Sequence, residues 1–95
     1  MRRRYTPQML KALRNDVNID HVIADVLDWP SKISEGQFRF LCPICSEFNS
    51  ATNPKTNLGR CFRCEKNFNP IDMVMAVQRC SFVQAVKLLS ALPNL

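Results

Sequence analysis

Long apolar runs are missing from this sequence. No window reaches the roughly 20 residues that a membrane-spanning helix needs. After Arg2, Arg3 and Arg4 the chain continues Tyr5-Thr6-Pro7-Gln8, with no apolar segment of the kind that directs secretion. The expectation is a soluble, cytoplasmic protein with no membrane partner, in a compartment where thiols stay reduced. Clustered acids are missing as well. The eight Asp and Glu residues are scattered singly, so no carboxylate set of the kind that holds magnesium is visible. A catalytic role of that kind is therefore not expected. Internal repeats and low-complexity segments are also absent, and 95 residues is the length of one domain.

What is present is cysteine and positive charge. A chain this short buries only about 60 to 65% of its unfolded surface, so its core is thin and a metal or disulfides would add to it. Five cysteines are available for that purpose. In a reducing compartment, paired cysteines hold metal or do redox work more often than they form structural disulfides. The formal net charge is +5, from 13 Lys plus Arg against 8 Asp plus Glu, which favours a polyanionic partner. Four thiolates and one divalent zinc ion together carry −2, so a metallated chain would sit near +3.

Along the chain, Thr6 can cap a helix that starts at Pro7 and carries Leu10, Leu13 and Val17 at helical spacing. Asn18 or Asp20 opens a second short helix with Ile19, Ile23, Val26 and Leu27, which Pro30 ends; Ser34-Glu35-Gly36 reads as a turn. From Gln37 the period changes to that of a strand, with Phe38 and Phe40 on one side, expected in the core, and Gln37 and Arg39 on the other. This strand delivers Cys42. Short strands near Ala51 and Leu58 flank a hairpin tip at Asn53-Pro54-Lys55-Thr56, and the second delivers Cys61. Asn69 then caps a helix beginning at Pro70, and Ser81 to Gln84 has the spacing of a capping box before a last helix with Phe82, Ala85, Val86 and Leu89. The expected organisation is a single domain over residues 1–95, with N-terminal helices over 1–36, a ribbon over 37–68 and C-terminal helices over 69–95.

Two C-x2-C pairs carry the chemistry: Cys42-Pro43-Ile44-Cys45 and Cys61-Phe62-Arg63-Cys64, with fifteen residues between Cys45 and Cys61. Two residues between ligands let a tight knuckle aim both thiolates at one tetrahedral ion, and the hairpin brings the knuckles together. A dithiol oxidoreductase would place such a pair at a helix start in a βαβ unit, whereas Ser46-Glu47-Phe48-Asn49-Ser50 has no apolar helical period. Iron fits the same four sulfurs, and spacing alone does not separate it from zinc. Cys80 stands apart among apolar neighbours and reads as a core thiol; His21, far from the knuckles, reads as a surface or cap residue.

From Asp16 to Leu92 the sequence resembles the N-terminal zinc-binding domain, of CHC2 type, in bacterial replicative DNA primases. The resemblance rests on Asn18-Ile19-Asp20-His21-Val22-Ile23, on both knuckles, on Asn69-Pro70-Ile71 and on Ser81-Phe82-Val83-Gln84-Ala85-Val86 with Leu89. Cys45 stands where the family usually has histidine, and Arg63 and Glu65 where it has glycine. Phe48-Asn49-Ser50-Ala51-Thr52 departs from the family's usual segment after Glu47. The resemblance implies an α+β fold, a small antiparallel zinc ribbon packed with N- and C-terminal helices. It implies one zinc per chain on Cys42, Cys45, Cys61 and Cys64, in a standalone four-cysteine variant. It also implies binding of single-stranded DNA in a priming context, with a polymerase core or helicase as partner in trans and no polymerase activity of its own.

The candidates for nucleic-acid contact are Arg39, Lys55, Arg60, Arg63 and Lys66, with Phe62 at a knuckle tip to stack on an unpaired base. The Arg2–Arg4 run is a solvated tail by default, or an arm that touches phosphate. The competing expectation is a structural zinc module whose helices dock a protein and which never touches nucleic acid.

Overall fold

The computed structural model describes residues 5–92; the Arg2–Arg4 run lies outside them. Helix α1 (Pro7–Asn15) starts where expected. The Thr6 side chain accepts from Met9 N–H at 3.1 Å, and Pro7 occupies the first turn, where its missing N–H does no harm. Helix α2 (Ile19–His21) is capped by the Asn18 side chain and runs into a π-helical turn, Val22–Val26. Asp28, with φ 49°, stops it. The Trp29 indole N–H then donates to Leu41 O at 2.7 Å, tying the end of this helix to the sheet.

Five antiparallel strands follow in simple order: β1 (Ser31–Ser34), β2 (Gln37–Phe40), β3 (Ser50–Asn53), β4 (Leu58–Cys61) and β5 (Lys66–Phe68). The N-terminal helical segment expected through residue 36 is therefore shorter. Residues 31–34 are a strand, paired Ser34 to Gln37 across a two-residue turn. Glu35 and Gly36 both have positive φ, 53° and 76°, the backbone of a primed turn whose twist suits a hairpin. β5 likewise was not legible as a strand, being only three residues long.

Helices α3 (Pro70–Gln78) and α4 (Phe82–Ser90) both begin with complete capping boxes, Asn69 with Asp72 and Ser81 with Gln84. They pack on each other and on α1, and bury Ile71, Met73, Val74, Ala85, Val86 and Leu89. Ile19, Val22 and Ile23 join this core from α2 and its π-turn, and Phe40 joins it from the sheet. Phe40 is fully buried and Phe38, on the same side of β2, half-buried. A Cβ at Gly59 would lie 2.7 Å from the Phe40 ring, so only glycine lets that ring rest on β4.

The β3–β4 tip is held to the helices by one side chain. Asn57 Oδ1 accepts from Ile19 N–H at 3.0 Å, and its Nδ2 donates to Arg14 O at 2.8 Å and to Val17 O at 2.7 Å. Asn57 itself has φ 57°, a backbone that asparagine tolerates better than most residues. Thus three hydrogen bonds tie the α1–α2 corner to the ribbon tip.

Candidate metal centre and basic sheet face

Both knuckles are built the same way. Four residues after the first cysteine of each pair the backbone turns left-handed, at Ser46 (φ 61°) and Glu65 (φ 56°). Each of those N–H groups returns to the first cysteine's carbonyl, Ser46 N to Cys42 O at 3.0 Å and Glu65 N to Cys61 O at 2.8 Å. The first sulfur of each pair then accepts backbone N–H groups. Cys42 Sγ takes Ile44 N at 3.4 Å and Cys45 N at 3.5 Å, and Cys61 Sγ takes Cys64 N at 3.3 Å. Such bonds favour the thiolate and fix its direction.

The sheet brings the knuckles together, because Phe40 pairs with Ser50 and Ser50 with Cys61, placing Cys42 beside the second pair. All four Sγ atoms lie within 4.8 Å of one another, with Cys45 to Cys61 at 3.6 Å and Cys42 to Cys64 at 3.9 Å. A tetrahedron with Zn–S bonds of about 2.3 Å has sulfur edges of about 3.8 Å, so these two separations bracket the ideal. Cys42 and Cys61 are buried, Cys45 and Cys64 half-buried, and all are unbridged. Cys80 is not in the group; its Sγ faces Val74 O at 3.9 Å.

The thiols of Cys45, Cys61 and Cys64 do not ionise alike. Burial alone would raise Cys61, but the Cys64 N–H, the Ser50 side chain and the Cys42 and Cys45 thiols bring it down to about 6. Burial and the three neighbouring sulfurs push Cys64 up to about 12, and burial first also raises Cys45. One thiolate is accommodated and further negative charge is resisted, a conflict that a divalent cation removes. The Ser50 side chain is fully buried, on the strand position paired with Cys61.

The opposite face of the sheet carries positive charge. Pairing aligns Lys32, Arg39, Ala51, Arg60 and Asn67 in one row across all five strands. Four inter-strand steps of about 4.8 Å make that row about 19 Å long. Its cations have neutral neighbours: Arg39 donates to Gln37 Oε1 and Arg60 to Asn67 Oδ1, each at 3.2 Å, and Lys32 Nζ lies 5.1 Å from the centre of the Phe48 ring. Arg60, Lys55 at the hairpin tip and Phe62 line one open groove of about 820 Å³, and Phe62 is 58% exposed.

Two expected contact residues lie elsewhere. Arg63 forms an ion pair with Glu47 at 3.2 Å, bridging the knuckles. Lys66 pairs with Cys61 across β4 and β5, which places it on the helix side of the sheet, where it lines a separate groove. His21 contacts Asp25 at 2.8 Å on the helix surface. Lys32 and Asn57 were missed. Lys32 left only a weak signal, because Ser31-Lys32-Ile33-Ser34 barely alternates; the long-range role of Asn57 leaves no local signal.

Four cysteine donors on two knuckles, carried by an antiparallel hairpin and backed by helices, define a zinc-ribbon module of α+β class. Residues 5–95 match the CHC2 zinc finger, the zinc ribbon of DnaG-type primases, and the chain belongs to that family. A comparison with curated proteins finds no match. The family binds zinc, and four cysteines so close together suit one zinc ion. When bound, that ion supplies cross-linking and charge neutralisation, and four protein donors leave it no open position for catalysis. The CHC2 finger is an accessory domain, so the chain is a zinc module in a replication context. No described helix is long and apolar enough to cross a membrane.

Proposed function

We propose that residues 1–95 act as one zinc-dependent module that binds single-stranded DNA during priming. Cys42, Cys45, Cys61 and Cys64 are its metal ligands, and it assists a polymerase core or helicase supplied in trans. The observation that carries this reading is the row Lys32–Arg39–Arg60, three cations aligned by strand register, none of them in an ion pair among the described residues. Phosphates approach cations that are not already neutralised, and the small Ala51 between Arg39 and Arg60 leaves room for a strand to lie on the sheet. Lys55 extends the charge to the hairpin tip, and the exposed Phe62 offers a stacking surface for a base. Arg63 and Lys66 contribute less, the first because Glu47 neutralises it and the second because it lies on the opposite side of the sheet.

The test is a titration of the zinc-loaded protein with single- and double-stranded oligonucleotides at two salt concentrations. Single-stranded DNA should bind, with a salt slope that falls by about 0.7 for each phosphate contact removed. Arg39→Ala with Arg60→Ala should therefore flatten the slope by about 1.4 while zinc content stays the same. Phe62→Ala should weaken binding by about 1–3 kcal/mol without changing the slope. No binding at low salt, or a double variant that binds as the parent does, would reject this surface.

A further inference from the structure

The groove that holds Lys66 does not belong to the basic sheet face. It lies between β5 and α3, has a volume of about 500 Å³, and is lined by Phe68, Met75 and Ala76 with Lys66, Asp72 and Arg79 around them. β5 is the last strand of the sheet, and among the described residues nothing pairs with its outer edge. We propose that this groove docks an extended, acidic segment of a partner protein, added as a sixth strand along β5.

Three observations favour that occupant. An unpaired strand edge offers backbone donors and acceptors in the period that another strand supplies, so a peptide gains affinity from its main chain and specificity from alternate side chains. Phe68, Met75 and Ala76 give the groove apolar lining, suited to one aliphatic side chain. Its cations are exposed, and among the described residues neither Lys66 nor Arg79 has an ion-pair partner, whereas the Asp72 carboxylate already accepts from Asn69 N–H at 3.2 Å. Arg79 ends α3 with φ 53°. Nucleic acid is the poorer fit. Phe68 is 4% exposed and presents no ring for stacking, and Lys66 and Arg79 do not continue the row on the opposite face.

The matching segment presents, on one side, an aliphatic residue between two carboxylates. The probe is a capped heptapeptide, Thr-Asp-Thr-Leu-Thr-Asp-Thr, titrated into nitrogen-labelled, zinc-loaded protein, beside a counterpart with lysine in place of both aspartates. The acidic peptide should move the amide resonances of Lys66, Asn67, Phe68 and Arg79, and the lysine peptide should not. Lys66→Glu with Arg79→Glu changes two exposed residues and should weaken the acidic peptide about tenfold while admitting the lysine one. Zinc content and the remaining resonances report that the variant is folded. The proposal fails if millimolar acidic peptide moves nothing, or if its shifts centre on Arg39 and Arg60. It also fails if single-stranded DNA shifts the groove amides more than the peptide does. Binding of DNA to the opposite face is a separate matter, and neither result decides the other.

Discussion

At the scale of single residues, the side chain of Asn57 does more for this fold than its place in a polar turn suggests. It satisfies one donor and two acceptors from three residues about forty positions earlier in the chain. Asn57→Ala would leave the Ile19 N–H and two carbonyls without partners, and should destabilise the zinc-loaded protein by about 2–3 kcal/mol. In a thermal melt that corresponds to a loss of about 10 °C or more for a domain of this size. Asn57→Asp, which keeps the acceptor but loses both donated bonds, should fall between the two. The cysteines separate as sharply. Cys45→Ser removes one of four sulfurs from a closed site and should lower zinc content well below one ion per chain, whereas Cys80→Ser should keep the full amount, because Cys80 Sγ faces Val74 and not the cluster. Metal analysis of the two purified variants decides this; the reverse pattern would move the ligand assignment to Cys80.

At the scale of elements, the contact between β2 and β4 depends on Gly59. An alanine there would put a methyl carbon 2.7 Å from a fully buried aromatic ring, so β4 or Phe40 must shift. Gly59→Ala should destabilise by about 1–3 kcal/mol, read by denaturant unfolding, and Gly36→Ala should be milder because its surroundings are open. All three helix starts with Thr6, Asn69 and Ser81 as caps were legible in the sequence, because a cap and a following proline or capping box act within one turn. The two knuckles were legible for the same reason, their spacing being local. β1 was not, because its four residues alternate weakly and Ile33 on it stays 77% exposed. β5 and Asn57 were not, because both depend on partners that only the folded chain supplies. The contact residues lie between these cases: Arg39 and Arg60 share a face through strand register, while the divergent settings of Arg63 and Lys66 follow from an ion pair and a sheet edge.

At the scale of the whole molecule, the β3–β4 hairpin is closed at both ends by unlike means. Cys61 joins one end to the cysteine cluster, and Asn57 joins the other to the helices. Their separation along β4 gives loss of metal a spatial pattern that hydrogen–deuterium exchange would read residue by residue. After chelation, amide protons from Cys42 to Ser46 and from Cys61 to Glu65 should exchange rapidly, since their carbonyl and sulfur acceptors depend on the paired knuckles. Amides of Leu58, Ile19 and the interior of α3 should stay slow, held by the asparagine and by the apolar core. Uniform acceleration across the chain would mean that the ion supports the entire fold. The expected gradient means instead that a cell short of zinc holds a half-ordered protein, its helical end folded and its knuckle end open to proteases.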